Sequence, residues 1–286
     1  MKKTTFSLLL AISALALGAC STTRLAYDNA DTVLRFMASS YLDLDAEQSD
    51  ELKPLIVRFQ AWHRANELPA YAGLLHSASQ RAAQGITAED VAWGLANVRA
   101  RYRRLLAKAA EDGAPVLATL TLAQHVVLEK KFAETNEKYA KEFLSADDKK
   151  RRRAQSKRML ERFRDFTGDL APDQEARIES FVLAHERHAV LRFEDRQRWQ
   201  RDIVAALKER EPQELGRRLA EMANRPELRR SEEFLREDRR WGEDLGQLIV
   251  DLDRSLSAKQ RAKVVQRLSD YAEDFAVLAG RKKEAA

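Results

Sequence analysis

Along most of the chain, apolar residues recur three and four positions apart instead of alternating. Leu52, Leu55, Phe59 and Trp62 form one such series; Ile178, Phe181 and His185 form another, continued loosely by Ala189 and Trp199. That spacing collects side chains on one face of an α-helix. Ala, Leu, Arg, Glu, Lys and Gln fill the positions between, and no run alternates β-branched or aromatic residues with polar ones. The pattern predicts an all-α protein, an extended multi-helix bundle. Pro69, Pro172, Pro212 and Pro226 each suit a first helical position, where the missing N–H costs nothing. Gly85, Gly113 and Gly168 suit helix ends. Pro54 falls inside the helical segment 45–66, which predicts a kink there.

One motif recurs at helix starts. Leu44-Asp-Ala-Glu-Gln48, Leu120-Thr-Leu-Ala-Gln124, Leu170-Ala-Pro-Asp-Gln174 and Leu256-Ser-Ala-Lys-Gln260 share the form Leu-x-x-x-Gln. Asp45, Thr121 and Ser257 can cap an orphan N–H, and the Gln three residues on can bond back to the cap. Ala171 lacks a capping oxygen, but Pro172 presets the first turn. The four starts fall into two pairs separated by similar lengths of chain. Each pair encloses a histidine near a helix end (His63, His185), then an Arg-aromatic segment, and is followed by an aromatic tail: Phe132, Tyr139 and Phe143 in one case, Tyr271 and Phe275 in the other. Two diverged helical halves are therefore expected, 25–145 and 170–280, joined by a basic helix over 146–169; the alternative is chance likeness among Leu/Arg/Glu-rich helices.

The beginning of the chain follows different rules. Lys2 and Lys3 precede an apolar run, Phe6–Leu17, too short for the roughly 20 residues a spanning helix needs but suited to a secretory leader. It ends in Leu17-Gly-Ala-Cys20, the form of a bacterial lipobox, in which the cysteine is acylated and becomes the mature N-terminus. Cys20 is the only cysteine of the 286 residues, so it has no disulfide partner within the chain. The alternative is an ordinary leader with an incidental cysteine. The expected organisation is a signal peptide over 1–19, a lipidated tether over 20–24 and a flexible tail over 281–286. Ser21 follows Cys20, not the aspartate that retains many lipoproteins at the inner membrane. An outer-membrane anchor facing the periplasm is therefore expected, the membrane being contacted through acyl chains on Cys20.

Charge narrows the partners. A net +5 with 33% charged residues gives a mixed, mildly basic surface and no nucleic-acid footprint. Lys149, Lys150, Arg151, Arg152 and Arg153 form the densest run, suited to an anionic surface or to solvating the connecting helix. Trp62, His63, Arg64, Glu67, Pro69 and Tyr71 crowd one short stretch that resembles chemistry. Yet His63 and Arg64 would sit in a last helical turn, where cations are favoured, and Glu67 just before the next helix, where an anion is favoured. Trp62 would belong to a core-facing stripe. A structural corner accounts for all of them. His185 and His188 are spaced three apart, not the four of a zinc-binding His-Glu-x-x-His helix, and are weak metal candidates beside a packing role. No catalytic residue and no cofactor is expected.

Lipobox, Tyr27-Asp-Asn-Ala-Asp31, Leu42-Asp-Leu-Asp-Ala-Glu-Gln48, Trp62-His-Arg64 and Leu68-Pro-x-Tyr71 together resemble a family of proteobacterial lipoproteins of unknown function. The resemblance implies an envelope location and an all-helical body, and it brings no catalytic residues. The Leu-Thr-x-x-Gln start is also similar, more weakly, to the Spy/CpxP periplasmic stress chaperones, which are shorter and not lipoproteins. The expected function is non-enzymatic: binding, scaffolding or a chaperone-like role toward a periplasmic protein or polymer. The rival is an envelope hydrolase acting on cell wall or lipid, with Glu67 or Glu186 as the acid.

Overall fold

The computed structural model describes residues 22–145 and 147–280, so the leader, Cys20 and the tail 281–286 lie outside the described residues. Those described are helical, and no strand occurs among them. In chain order the helices are α1 (Thr22–Asp28), α2 (Ala30–Leu42), α3 (Ala46–Asn66), α4 (Leu68–Gln84), α5 (Ala88–Ala118) and α6 (Leu122–Phe143). Then come α7 (Asp148–Thr167), α8 (Pro172–Ala184), α9 (Glu186–Ala206), α10 (Pro212–Asn224), a 3-10 turn (Pro226–Arg229), α11 (Glu232–Ser255) and α12 (Ala258–Gly280). The protein is an all-α multi-helix bundle. Helix α1 already begins at Thr22, within the stretch expected to be a tether.

The helix starts follow their caps. Asp45, Thr121 and Ser257 accept from the N–H of Gln48, Gln124 and Gln260 at 2.9, 3.3 and 3.2 Å. Each Gln side chain accepts in return from its cap's N–H. At Ala171 only that return bond exists, from Ala171 N–H to Gln174 Oε1 at 2.9 Å. Gly85 and Gly168 end helices with positive φ, at 100° and 78°.

The proline and glycine expectations are met unevenly. Helix α3 continues through Pro54, which is exposed, so the carbonyl it leaves unbonded faces water. Gly113 does not end a helix either, because α5 runs on through it and the exposed Pro115 to Ala118. Tertiary packing wins there. Helix α10 lies so close to α5 that a β-carbon on Gly216 would stand 3.2 Å from Ala114 Cβ and 3.5 Å from Glu111 Cα.

Apolar side chains gather in two clusters. One joins Ala118, Leu120 and Leu128 to Ala206, Leu207, Leu215, Leu219 and Met222, with Tyr41 and Phe132 at its edge. The other joins Leu160, Ile178, Phe181 and Val182 to Leu248 and Leu252. Helix α12 lies along α4, so late residues cover early ones: Ser79 Oγ meets Ser269 Oγ at 2.8 Å.

Candidate binding site at the joint of α3 and α4

Helices α3 and α4 are separated by one residue, Glu67, whose backbone stays near helical values (φ −96°, ψ −41°). Five helices meet at this joint: α1, α3, α4, α5 and α12. From α1, Tyr27 stacks on His63, ring centres 5.6 Å apart, and its hydroxyl lies 3.0 Å from His63 Nδ1. From α4, Tyr71 meets His63 edge-on at 5.6 Å and passes the contact to Phe275 of α12 at 5.7 Å. Arg64 donates to the carbonyl of Leu278 at 2.6 Å and lies 5.0 Å from the centre of the Tyr27 ring.

Two expectations about this stretch need correcting. His63 is no helix-end cation at neutral pH: burial, then the neighbouring Arg64, hold its pKa below the ordinary 6.5. Its neutral ring serves as an aromatic plate and hydrogen-bond partner. Arg64 does lie in the last turn of α3, as expected, and it also serves a carbonyl near the C-terminus of α12, where a cation is favoured. Trp62 is only half-buried, because α5 passes over it with long basic side chains instead of apolar ones. Arg104 and Lys108 stand 5.6 and 6.0 Å from its ring centre.

Glu67 is 0% exposed. Arg104 Nε lies 2.9 Å from its Oε1 and Arg101 NH1 lies 3.6 Å from Oε2, both from α5. The pair pins α5 across the joint. Pro69 is the second residue of α4, and Leu68 before it is the first and is fully buried. The pre-proline restriction thus gives way to packing, by one residue.

Beside the joint runs an open groove of about 540 Å³ lined by Trp62, Ala100, Arg103, Arg104, Ala107, Lys108, Glu111 and Asn224. Arg104 and Lys108 stand over its indole and Arg103 lines it beside them, each with a carboxylate partner of its own: Glu67 for Arg104, Asp112 for Lys108 and Glu227 for Arg103. Arg103, Arg104 and Lys108 were not singled out from sequence. Their signal was available, since Arg104 and Lys108 are four apart on one helical face, but it was lost among other basic residues.

The remaining candidates lie apart from this groove. Arg151 and Arg152 both pair with Glu186 at the start of α9, while Lys149, Lys150 and Arg153 are exposed. The basic run is therefore divided between holding a helix start and facing solvent. His185 occupies the single-residue joint of α8 and α9, with Nε2 3.1 Å from Asp244 Oδ2. His188 lies between Phe234 and Trp241 in parallel stacks at 6.1 and 5.0 Å, with Nε2 3.2 Å from Asp238 Oδ1. That contact lowers the Asp238 pKa. No group of three or more His, Cys, Asp or Glu able to hold a metal occurs among the described residues.

The fold and groove define an all-helical protein with a basic, aromatic-floored surface site. Residues 40–236 match a family of unknown function, DUF6279, and the chain belongs to that family. None of the curated proteins and none of the solved structures matches it.

Proposed function

We propose that this is a lipid-anchored protein of the outer membrane's periplasmic face that binds an anionic group on a periplasmic protein or polymer, without catalysis. The observation that carries the proposal is the groove in which Arg104 and Lys108 stand over the half-buried Trp62 and Arg103 lines the wall beside them. Cations over an indole face suit a ligand that presents negative charge beside a flat or apolar part. The lipobox at Cys20 supports the location. No helix among the described residues is long and apolar enough to cross a membrane, so attachment falls to the anchor. The hydrolase reading has less to rest on, because Glu67 and Glu186 are each held by two arginines and serve as fasteners of helix ends.

The test is a photo-crosslinking side chain at Ala100, which lines the groove, activated in living cells. A discrete adduct that weakens when Arg103→Glu and Lys108→Gln are combined, in protein that still folds and fractionates normally, supports the proposal. An adduct indifferent to those changes, or none, refutes it.

A further inference from the structure

Helices α1 and α2 follow one another from Thr22 to Leu42 with a single turn residue, Asn29, between them. One side fastens them to the body. Arg24 Nε donates to Asp274 at 2.6 Å, Tyr27 meets His63, and Tyr41 packs edge-on against Phe132 at 6.2 Å. The other side is apolar and open. Leu25, Val33, Phe36 and Met37 are 65%, 51%, 74% and 50% exposed. Val33, Phe36 and Met37 are three and four apart and share one side of α2, and Leu25 is exposed on α1, before the turn at Asn29. The other exposed positions from Leu25 to Ser39 are Ala26, Asp28, Asn29, Thr32, Leu34 and Ser39; the one charge among them, Asp28, lies 3.8 Å from Arg64. Large apolar side chains gathered at such exposure mark a contact surface.

We infer that this face lies in the interfacial layer of the membrane that holds Cys20, so that a helix side grips the bilayer in addition to the acyl chains. The inference rests on the lipid-anchor reading of Cys20. Chain length selects the occupant. Thr22 follows Cys20 by two residues, which span at most about 7 Å, so α1 starts at the lipid surface once the cysteine is acylated. From there the helices rise about 1.5 Å per residue, bringing Phe36 some 20 Å further along. An amphipathic helix lying in the interface sinks its apolar side roughly 5–10 Å into the headgroup boundary, a depth that Phe and Met side chains reach. The clamps through Arg24 and Tyr27 fix the rotation of the helices, so the apolar side is presented without refolding.

The test uses the full-length chain, purified from membranes and reconstituted into vesicles of phosphatidylethanolamine and phosphatidylglycerol. Acylation consumes the thiol of Cys20, so Phe36→Cys supplies one site for a fluorophore, and Glu232→Cys, on α11, supplies a control. The expected result is strong quenching at position 36 by spin-labelled lipid, with iodide quenching reduced several-fold relative to position 232. Full iodide access at position 36 overturns the inference. Protection from both quenchers also overturns it, since a second copy or another protein then covers the face. Labelling of the otherwise wild-type chain is read separately: uptake at Cys20 refutes the anchor itself, and the inference falls with it.

Discussion

Gln48 and Gln124 exchange side-chain hydrogen bonds, Nε2 of Gln124 donating to Gln48 Oε1 at 2.6 Å and Nε2 of Gln48 to Gln124 Oε1 at 3.3 Å. Gln174 and Gln260 do the same at 2.8 and 3.3 Å. The surroundings correspond as well. Gln48 also donates to Thr119 and Gln174 to Ser255; Gln124 donates to the carbonyl of Asp43 and Gln260 to that of Asp169. Each amide thus caps its own helix and bonds to a neighbouring one. The parallel supports the proposal of two related halves.

Replacing either partner leaves the other amide buried and short of a hydrogen bond. Gln48→Ala and Gln124→Ala should each cost about 1–3 kcal/mol. The double variant should cost less than their sum, by about 1 kcal/mol. Urea unfolding of the four chains measures this coupling, and strict additivity would dissolve the pair as an energetic unit.

The caps beneath these pairs are separable from them. Asp45→Ala, Thr121→Ala and Ser257→Ala should each lose about 1 kcal/mol through an unpaired helix-terminal N–H. Wild-type denaturant midpoints for all three would contradict the capping role seen in the geometry.

Glu67 and Arg104 should respond unequally. Arg104→Ala leaves a fully buried carboxylate facing only Arg101, for a loss of about 3 kcal/mol. Glu67→Gln leaves arginines that can turn toward water, for a loss nearer 1 kcal/mol. Equal melting temperatures for the two variants would show that Glu67 is less enclosed than described.

Acid should weaken the fold early. Burial holds the pKa of His63, His125 and His185 below the ordinary 6.5. Just below pH 6.5 the unfolded chain takes up protons that the folded one refuses, so stability falls as the pH drops through that range and is level above about pH 7. His63→Gln should flatten part of the slope. An unchanged slope in that variant would show that His63 titrates normally.

The anchor is tested by fractionation. Cys20→Ala should move mature protein out of the membrane fraction, since an acyl chain contributes about 0.8 kcal/mol per buried methylene. Retention of all the mature protein on membranes would refute lipidation.

Much of the architecture is legible in the sequence because helix starts are local events. Asp45 and Gln48 need only each other to declare one, and the same holds at Thr121 and Ser257. What these glutamines do across the bundle is not local, and no spacing rule reveals that Gln48 faces Gln124. The joint at Glu67 is visible through Leu68 and Pro69, yet the partners of its side chains lie on α1, α5 and α12. Local electrostatics placed His63 and Arg64 in the last turn correctly but missed the neutral state of His63 and the reach of Arg64 to Leu278. Gly113 misled for the same reason, since the close approach of Gly216 to α5 is a tertiary fact. The groove stayed hidden because Trp62 and Lys108 come together only when α5 crosses α3.

Helix α12 covers α4 through contacts such as Ser79 with Ser269, 190 positions apart. Closing so long a loop is entropically late and slow. A chain emerging from its N-terminus must wait with the α4 surface bare until its final helix arrives. Proteolytic removal of the last helix would return the finished molecule to the same vulnerable condition, although α12 lies entirely beyond the family-matched residues.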